Sequence, residues 1–214
     1  MSRTIHPELL DTLAPEHPDA VRSRRDLRFI NWFMGNHRWI ARHLPRRLRP
    51  HERVLEIGAG TGELSERLRT AGISTAALDF VPPPENWPPN SAWHQADLKS
   101  FEHYTDFPVI VGNLIFHHLN DDELAELGAR LAKSARLIVA CEPIRRRFSQ
   151  FMFRVIGPVF GVSHVTMHDG LVSIAGGFAR DELPQALGLT NSDWAIEHSS
   201  SAFGGYRMIA TRRE

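Results

Sequence analysis

Three alternating glycines constrain this sequence more than any other feature. They lie in Gly58-Ala59-Gly60-Thr61-Gly62, directly after the β-rich run Arg53-Val54-Leu55-Glu56-Ile57. Residues 63–71 then repeat leucine at helical spacing, and Gly72 follows at the position where a helix would end. Glycines at such a junction permit a tight turn and let a ligand approach the free N–H groups of the helix start. The segment therefore predicts a strand, a ligand-binding loop and a helix in succession.

The same alternation of strand and helix continues through the middle of the chain. Apolar runs that predict strands occupy residues 53–57, 74–80, 92–94, 108–111 and 136–141. Asn120, with Glu123 three residues later, is a capping-box pattern that predicts the start of a helix. Two further runs, 194–198 and 206–210, flank a pair of glycines and predict a hairpin that ends the sheet with an antiparallel strand. Alternating units of this kind predict an α/β fold with a doubly wound, Rossmann-like sheet.

Segments outside this alternation predict further helices. Residues 22–44 show an apolar helical face, and the Phe- and Val-rich run 145–165 is an insertion between the fifth and sixth strands. We divide the chain into an N-terminal helical arm, residues 1–50, and a domain, residues 51–214, with a helical cap inserted at about 144–190. The cap and the arm are expected to line an apolar pocket. The apolar residues that would form its lining are Phe148, Phe151, Met152, Phe153, Val155, Ile156, Val159, Phe160 and Met167 of the cap and Trp32, Phe33, Met34 and Trp39 of the arm. Such a pocket favours a hydrophobic or aromatic ligand.

Charge and cysteine content argue against several classes of protein. The 214 residues carry 25 basic and 25 acidic side chains, and a net charge of zero argues against binding nucleic acid through bulk electrostatics. The charges are unevenly placed, because ten arginines and five acids give residues 1–50 a net charge of +5. One cysteine excludes a disulfide framework. The sequence shows neither an export-signal pattern nor an uninterrupted apolar span. A cytoplasmic protein is expected, and its oligomeric state stays open.

An acidic residue before the glycines distinguishes between two kinds of nucleotide ligand. The third glycine of the dinucleotide fingerprint would fall at position 63, which is Glu63 here. Glu56 would face a pyrophosphate unfavourably, but it would suit a ligand with a cationic amine, such as S-adenosylmethionine (SAM). The run from Glu56 to Gly62 resembles the first motif of the class I SAM-dependent methyltransferases. The similarity covers about residues 50–143 and the final hairpin, and it includes the segment from Asn113 to Leu119 after the fourth strand.

The resemblance implies a seven-stranded sheet with SAM across the carboxyl ends of strands one, two and four. The family pattern assigns the amino-acid part of this cofactor to Glu56, Gly58, Ala59, Gly60 and Gly62. It assigns the ribose to Asp79, the adenine to Phe80, Asp97 and Leu98, and the surroundings of the sulfonium to Asn113 and Leu114. Each assignment has an alternative in which the residue only shapes a turn or caps an element. For Asp97 that alternative is a cap on the following turn.

Histidines after the fourth strand and in the cap are the candidate catalytic groups. Methyl transfer from a sulfonium is an in-line displacement, so the protein mainly aligns the reactants, and a general base helps when the acceptor is a phenol or an enol. Histidine suits that role near neutral pH. The candidates are His118, His117 and His168, each of which has packing or capping as an alternative role. His164 and His168 are spaced i, i+4, but no third ligand is in view, so no metal site is predicted.

The expected methyl acceptor is a hydrophobic or aromatic small molecule. Methyltransferases that act on exocyclic nitrogens of nucleic-acid bases typically carry Asn/Asp-Pro-Pro-aromatic after the fourth strand, whereas this chain has Asn113-Leu114-Ile115-Phe116. The sequence is most similar to the small-molecule branch that includes quinone-biosynthesis methyltransferases. That similarity points to a phenol, hydroquinone or polyketide-like acceptor and favours O-methylation over C-methylation.

Three alternative functions stay open from the sequence. The first is an RNA or protein methyltransferase that uses the basic arm and Arg145-Arg146-Arg147. The second is a dinucleotide-dependent oxidoreductase, which Glu56 and Glu63 disfavour. The third is a module that binds SAM without catalysis.

Overall fold

A seven-stranded sheet forms the centre of the computed structural model, which describes residues 2–14 and 16–214. Its strands are β1 Val54–Ile57, β2 Thr75–Asp79, β3 Trp93–Gln95, β4 Val109–Asn113, β5 Leu137–Pro143, β6 Trp194–Ser200 and β7 Gly205–Arg212. They lie in the order β3-β2-β1-β4-β5-β7-β6. Strands β1 to β5 are parallel, whereas β7 is antiparallel to both β5 and β6. The predicted doubly wound, Rossmann-like sheet with an antiparallel last strand is confirmed.

The helices follow the predicted alternation, with one error. They are α1 Pro18–Met34, α2 Asn36–His43, α3 Glu63–Thr70, α4 Asp121–Leu131, α5 Arg147–Val159, α6 His164–Gly176 and α7 Glu182–Ala186. The Asn120 side chain accepts the Glu123 N–H and the Glu123 carboxylate accepts the Asn120 N–H, both at 2.9 Å, so the predicted capping box opens α4. The error concerns only the continuity of the helical stretch predicted over residues 22–44, which forms two helices, α1 and α2, because Gly35 adopts a left-handed conformation (φ 68°) that ends α1.

Helices cover both faces of the sheet and bury its central strands. Strands β1, β4 and β5 are buried along their whole length, as expected for parallel strands covered on both sides. On one face Phe107, Phe116 and Phe178 belong to the core that includes residues of α4 and α7. On the other face Ile40 and Leu44 pack with residues of α3. Within the described residues, no helix is both long and apolar enough to cross a membrane.

The N-terminal segment, residues 2–14, is held against α6 and the loop after β4. The Thr4 N–H donates to the Ala175 carbonyl at 3.2 Å. The Leu9 and Leu10 N–H groups donate to the Asp169 carboxylate at 2.7 Å and 3.0 Å. These bonds bring the start of the chain to the carboxyl ends of β4 and β5.

The strand order reverses between β1 and β4. The loops after these two strands therefore diverge and leave a crevice at the carboxyl edge of the sheet, where doubly wound folds bind their ligands. The glycine loop, residues 58–62, follows β1, and residues 114–118 follow β4. These two loops define the region that contains the candidate site.

Candidate active site

The glycine loop has the backbone shape that its sequence predicts. Gly58, Gly60 and Gly62 all have positive φ, at 66°, 55° and 72°. A Cβ on Gly58 would lie 2.6 Å from Ile115, and one on Gly62 would lie 2.3 Å from the Trp87 ring, so these glycines make room for the protein's own side chains. At Gly60, in contrast, no atom of the described residues would come within 4 Å of a Cβ. The open approach for a ligand is therefore at Gly60.

Asp79 fixes this loop from the end of β2. Its Oδ2 accepts the Gly60 N–H at 2.6 Å, and its Oδ1 accepts the Val81 N–H at 3.0 Å. Each carboxylate oxygen keeps a lone pair for a further donor, so the side chain can still accept hydroxyl groups of a ligand. Phe80 leaves β2 next in sequence and is 76% exposed, which presents its ring to solvent. The predicted ribose residue thus contacts the open position in the loop.

Glu56 is buried beneath the glycine loop, with 3% of its surface exposed. Its Oε2 accepts a hydrogen bond from the Ser65 hydroxyl of α3. Burial raises the pKa of the Glu56 carboxyl group to about 8, and the nearby Asp79 charge adds to the shift although the Ser65 bonds oppose it. The group is therefore mostly protonated at pH 7. A cation placed beside it would favour the ionised form and release the proton.

Three other predicted cofactor residues have contacts that shape the backbone. The Asp97 Oδ1 accepts the Lys99 N–H at 2.8 Å, which is the capping role considered for it from the sequence. The Leu98 carbonyl accepts the Tyr104 hydroxyl at 2.6 Å. Ala59 is buried within the glycine loop. Their contacts with a cofactor stay predictions.

Asn113 ends β4 and is held by the two N-terminal helices. Its Nδ2 donates to the Asn31 Oδ1 of α1 at 3.2 Å and lies 3.4 Å from the His37 Nε2 of α2. Burial, with Arg67 nearby, lowers the pKa of His37 to about 4, so its ring is neutral and can accept this hydrogen bond. The Asn113 Oδ1 is buried and has no hydrogen-bond partner in the described part of the chain. A buried acceptor left unpaired is costly, which makes this atom a candidate to face a ligand.

The chain turns sharply after Asn113. Leu114 has φ 58°, in the left-handed region that a bulky apolar residue rarely adopts. Such strain persists only where the surrounding structure holds it, and it is concentrated at functional sites. Here the Glu142 carboxylate provides that support, because it accepts the N–H groups of Ile115 and Phe116, both at 2.9 Å.

His117 is buried between two carboxylates. Its Nδ1 lies 2.6 Å from the Glu142 Oε2, and its Nε2 lies 3.8 Å from the Glu8 Oε1. Burial alone would lower the pKa of His117, but Glu142 and then Glu8 outweigh it and raise the pKa to about 9. His117 therefore carries its proton at neutral pH.

The neighbouring His118 has the opposite protonation preference. Its ring centroid lies 4.2 Å from that of His117. Burial, together with the positive His117 ring, lowers the pKa of His118 below its ordinary value of 6.5. His118 is therefore neutral at pH 7 and free to accept a proton. Adjacent groups whose pKa values are pushed apart in this way are typical of an acid and base pair.

A cavity of about 270 Å³ opens beside these two histidines. Its lining comes from the N-terminal segment, the loop after β4 and α6: Ile5, His6, Pro7, Glu8, Asp11, His117, His118, Val172, Ser173 and Gly176. Glu8, His117 and His118 also offer three metal-ligand atoms that lie within 4.8 Å of one another. His117 and His118 were predicted as candidates, whereas Glu8 beside them and the roles of Asn31, His37 and Glu142 were not predicted from the sequence. Only Glu142 had a signal, as an acidic residue in an apolar strand.

His168, the third candidate base, is paired with its neighbour in sequence. Its Nδ1 lies 2.9 Å from the Asp169 Oδ1. Asp169 itself is buried and holds the N–H groups of Leu9 and Leu10. His168 does not line the cavity beside the other two candidate histidines, so the structure does not bring the three together.

The expectation that the cap's aromatic residues enclose an apolar pocket is wrong. Phe148, Phe151 and Val159 of the cap are exposed, as is Trp32 of the arm. Helix α5 packs closely on α6 at two glycines: a Cβ on Gly157 would lie 2.3 Å from the Met167 sulfur, and a Cβ on Gly170 would lie 2.4 Å from the Phe153 ring. None of the four exposed side chains lines the cavity beside Glu8 and the two adjacent histidines.

Comparison with known proteins identifies the family. A family model described as a methyltransferase domain matches residues 24–146, which is more than half of the chain. The chain belongs to this methyltransferase family. The matched range includes the glycine loop, Asp79, Asn113, His117 and His118. The resemblance to class I SAM-dependent methyltransferases that the sequence indicated is thereby confirmed.

Curated relatives of this methyltransferase match only part of the chain. An uncharacterized methyltransferase from Bacillus cereus is 32% identical over 96 residues, 41% of this chain and 45% of that protein. The chain thus spans less than half the length of such curated relatives.

Solved methyltransferase structures resemble almost the whole chain. The plantazolicin methyltransferase BamL, in complex with a triazolic desmethylPZN analog and SAH, superposes with a TM-score of 0.72 at 10% identity, covering 96% of this chain and 93% of BamL. The magnesium protoporphyrin IX methyltransferase ChlM from Synechocystis PCC 6803, with bound SAM, gives a TM-score of 0.58 at 15% identity, covering 89% of this chain and 84% of ChlM. At these identities the likeness establishes the fold.

Proposed function

We propose that this methyltransferase uses SAM as its methyl donor and a hydrophobic or aromatic small molecule as its acceptor. The observation that carries the proposal is the open position at Gly60, which Asp79 holds at the crevice between β1 and β4. Ligands of doubly wound sheets bind at this point. Family membership supports the same cofactor, as do the SAM and SAH bound in the similar structures.

The residues around the crevice fit this cofactor. Asp79 keeps lone pairs for ribose hydroxyls, and the exposed Phe80 ring offers a face to the adenine. The Asn113 Oδ1, which has no hydrogen-bond partner among the described residues, would be favourably placed beside the positive charge of a sulfonium. Glu56 would hold the cationic amine, with loss of its own proton. When bound, SAM supplies a methyl group on an activated leaving group, so the chain's residues mainly align the acceptor and exclude water.

In this proposal, His118 removes the proton from the acceptor hydroxyl at its neutral ring nitrogen. Its lowered pKa keeps the ring unprotonated at pH 7, and the cavity gives the acceptor access to it. The protonated His117 ring, held by Glu142 and Glu8, lies beside His118 and helps to keep the His118 ring unprotonated until the acceptor arrives. A base aimed at a hydroxyl proton supports O-methylation rather than C-methylation.

The basic arm gives little support to the RNA or protein alternative. Among its arginines, four form ion pairs with acidic side chains of residues 51–214: Arg3 with Asp121, Arg28 with Glu63, Arg47 with Glu197 and Arg49 with Glu214. Binding to phosphate depends on cationic charge that is available to it. These arginines instead attach the arm to the domain.

Calorimetry and a methyl-transfer assay test the proposal. We expect SAM and SAH to bind and NAD not to bind; no SAM binding at millimolar concentration would overturn the cofactor. Transfer of a labelled methyl group is then measured to a panel of phenols and hydroquinones and to bulk RNA. Transfer to RNA alone would overturn the acceptor class. Loss of activity with a chelator would assign Glu8, His117 and His118 to a metal ion rather than to proton transfer.

A further inference from the structure

Helix α1 exposes the side chains that a globular protein usually buries. Its buried positions include Ser23 and Asp26, whereas Phe29, Trp32 and Phe33 are 41%, 59% and 38% exposed. The buried polar groups are satisfied by α6 and the residue that caps it, because Asp26 accepts the N–H of Ser163, the α6 N-cap, at 2.9 Å and the Ser23 hydroxyl bonds Thr166. The helix is therefore anchored by its polar face and presents its aromatic face outward.

Helix α5 is inverted in the same way. Phe148, Phe151, Val155 and Val159 recur at helical spacing and are 67%, 60%, 51% and 80% exposed. The buried position of the helix is Gly157, against which Met167 of α6 packs. The side of α5 that packs on α6 is also apolar, since it includes Phe153 beside Gly170, so the helix has a second apolar side that faces away from the protein.

The two exposed sides form one surface. The Phe29 and Phe160 rings lie 5.7 Å apart, and the Phe33 and Phe203 rings lie 4.3 Å apart. Residue 203 in turn precedes Gly204, which packs near Ser149 of α5. We call this surface the aromatic face; its residues are Phe29, Trp32, Phe33, Phe148, Phe151, Val155, Val159, Phe160 and Phe203. A continuous exposed patch of large apolar residues marks an interaction site.

Positive charge is in excess next to the aromatic face. Arg147 and Arg154 belong to α5, Arg146 caps it, all three are exposed, and the helix contains no acidic residue. On α1, the exposed Arg25 and Arg28 each lie 3.8 Å from a carboxylate, of Asp26 and Glu63, so the positive excess comes from α5. Two copies of such a face would bring arginine against arginine, which disfavours self-association. An anionic partner with an apolar interior fits both the charge and the aromatic residues.

We propose that the aromatic face docks the protein on the surface of an anionic lipid bilayer, with α1 and α5 lying in the interface. Helices that lie on membranes in this way combine Phe, Trp or Leu on one side with Arg or Lys at its edge. The arginines would contact lipid phosphates, and the aromatic rings would enter the boundary with the acyl chains. This docking requires neither cofactor nor substrate.

The aromatic face lies close to the candidate active site. Asn31 of α1 bonds Asn113 at the end of β4, and the next residue, Trp32, belongs to the aromatic face. Docking would therefore place the bilayer next to the helix that contacts the site, where a hydrophobic acceptor dissolved in the lipid is concentrated. This second step rests on the proposed function, whereas the docking does not.

Flotation with lipid vesicles tests the docking on the full chain. We expect the protein to float with vesicles of 70% phosphatidylcholine and 30% phosphatidylglycerol, to float less with phosphatidylcholine alone, and to be released by high salt. The triple variant Phe148→Ser, Phe151→Ser and Val159→Ser should bind at least about tenfold more weakly. Exchange of Arg147 and Arg154 for Gln should weaken binding to the anionic vesicles only.

Matched variants separate docking from general loss of fold. Val159→Ser should weaken binding, while Val81→Ser, an equal change at an exposed valine outside the face, should not. Circular dichroism of each variant shows that it is folded. The proposal is overturned if the wild-type protein does not float, or if the triple variant floats as well as it does. A dimer that the triple variant abolishes, without vesicle binding by the wild type, would assign the face to self-association instead.

Discussion

The two halves of the candidate active site are built in different ways. The cofactor half consists of one continuous stretch, the glycine loop, together with Asp79 from the next strand, and its contacts are largely with backbone groups. The acceptor half assembles side chains from the N-terminal segment, α1, α2, the loop after β4 and the end of β5. A site of the first kind tolerates change outside the loop, whereas one of the second kind depends on how distant segments pack.

The largest expected effect is on the acceptor half. His118→Ala should lower kcat by about a thousandfold, because it removes the proposed general base, while the SAM dissociation constant stays within about twofold. His168→Ala is the matched control, since His168 lies outside the cavity, and it should leave turnover close to that of the wild type. Steady-state kinetics with calorimetry provide both values. If kcat falls equally in the two variants, or in neither, His118 is not the general base.

A glycine substitution tests the cofactor half. Gly60→Ala should weaken SAM binding by about a hundredfold, because the new methyl group fills the open approach. Gly72→Ala is the control: it also has positive φ and open surroundings, but it lies at the far end of α3. Each change should cost about 1–2 kcal/mol of stability. If calorimetry gives the same SAM affinity for both variants, the ligand does not approach at Gly60.

The protonation of His117 links the acceptor half to pH. Because activity requires a protonated His117 and a neutral His118, kcat should rise with pH through the lowered pKa of His118 and fall above about 9. Glu142→Gln should move the alkaline limb to lower pH, with about a tenfold loss at pH 8. Glu123→Gln, at the α4 cap, should not move it.

The pH dependence of the free energy of unfolding should also reflect the protonation of His117. The folded-state pKa of His117 is raised, so its contribution to stability is complete below its unfolded value near 6.5 and is lost as pH rises through about 9. Thermal unfolding between pH 6 and 10 should show this loss in the wild type and a smaller one in Glu142→Gln. An unchanged slope in the variant would mean that Glu142 does not set the protonation of His117.

The smallest expected effect concerns Glu56 in the cofactor half. Its folded pKa of about 8 lies above the ordinary value of 4.5, so this group lowers stability as pH rises between those values. SAM binding at pH 7 should release up to one proton, measured by calorimetry in buffers of different ionisation enthalpy, and Glu56→Gln should abolish the release. Glu66→Gln, at a more exposed position of α3, is the control. If Glu56→Gln releases as many protons on SAM binding as the wild type, the proton comes from another group.

Local sequence patterns predicted the cofactor half and most of the fold. The strand, glycines and helix around Gly60 are contiguous, and the Asn120 capping box depends on residues three apart. The break at Gly35 also had a local signal, because Gly-Asn favours a turn. The apolar periodicity of residues 22–44 outweighed this turn signal in the prediction.

His117 and His118 were predicted as candidates, but the contacts of the acceptor half could not be predicted because they are tertiary. Glu8 and His117 meet only through the packing of the N-terminal segment on α6, and Asn31 meets Asn113 through the packing of α1. The periodicity of α5 revealed an apolar side but not its direction. Whether such a side is buried depends on the surfaces available to it, and here α6 packs on the side of α5 that contains Phe153 and Gly157.

The attachment of the N-terminal segment also sets an order of assembly. The bonds from Thr4 to Ala175 and from Leu9 to Asp169 join parts of the chain that are among the most distant in sequence. Closing so long a stretch of chain costs entropy before its contacts form, so these bonds should appear late in folding and open early in hydrogen exchange. A newly folding molecule would thus acquire its cofactor crevice first, and its proton-transfer chemistry only when the beginning of the chain returns to the sheet.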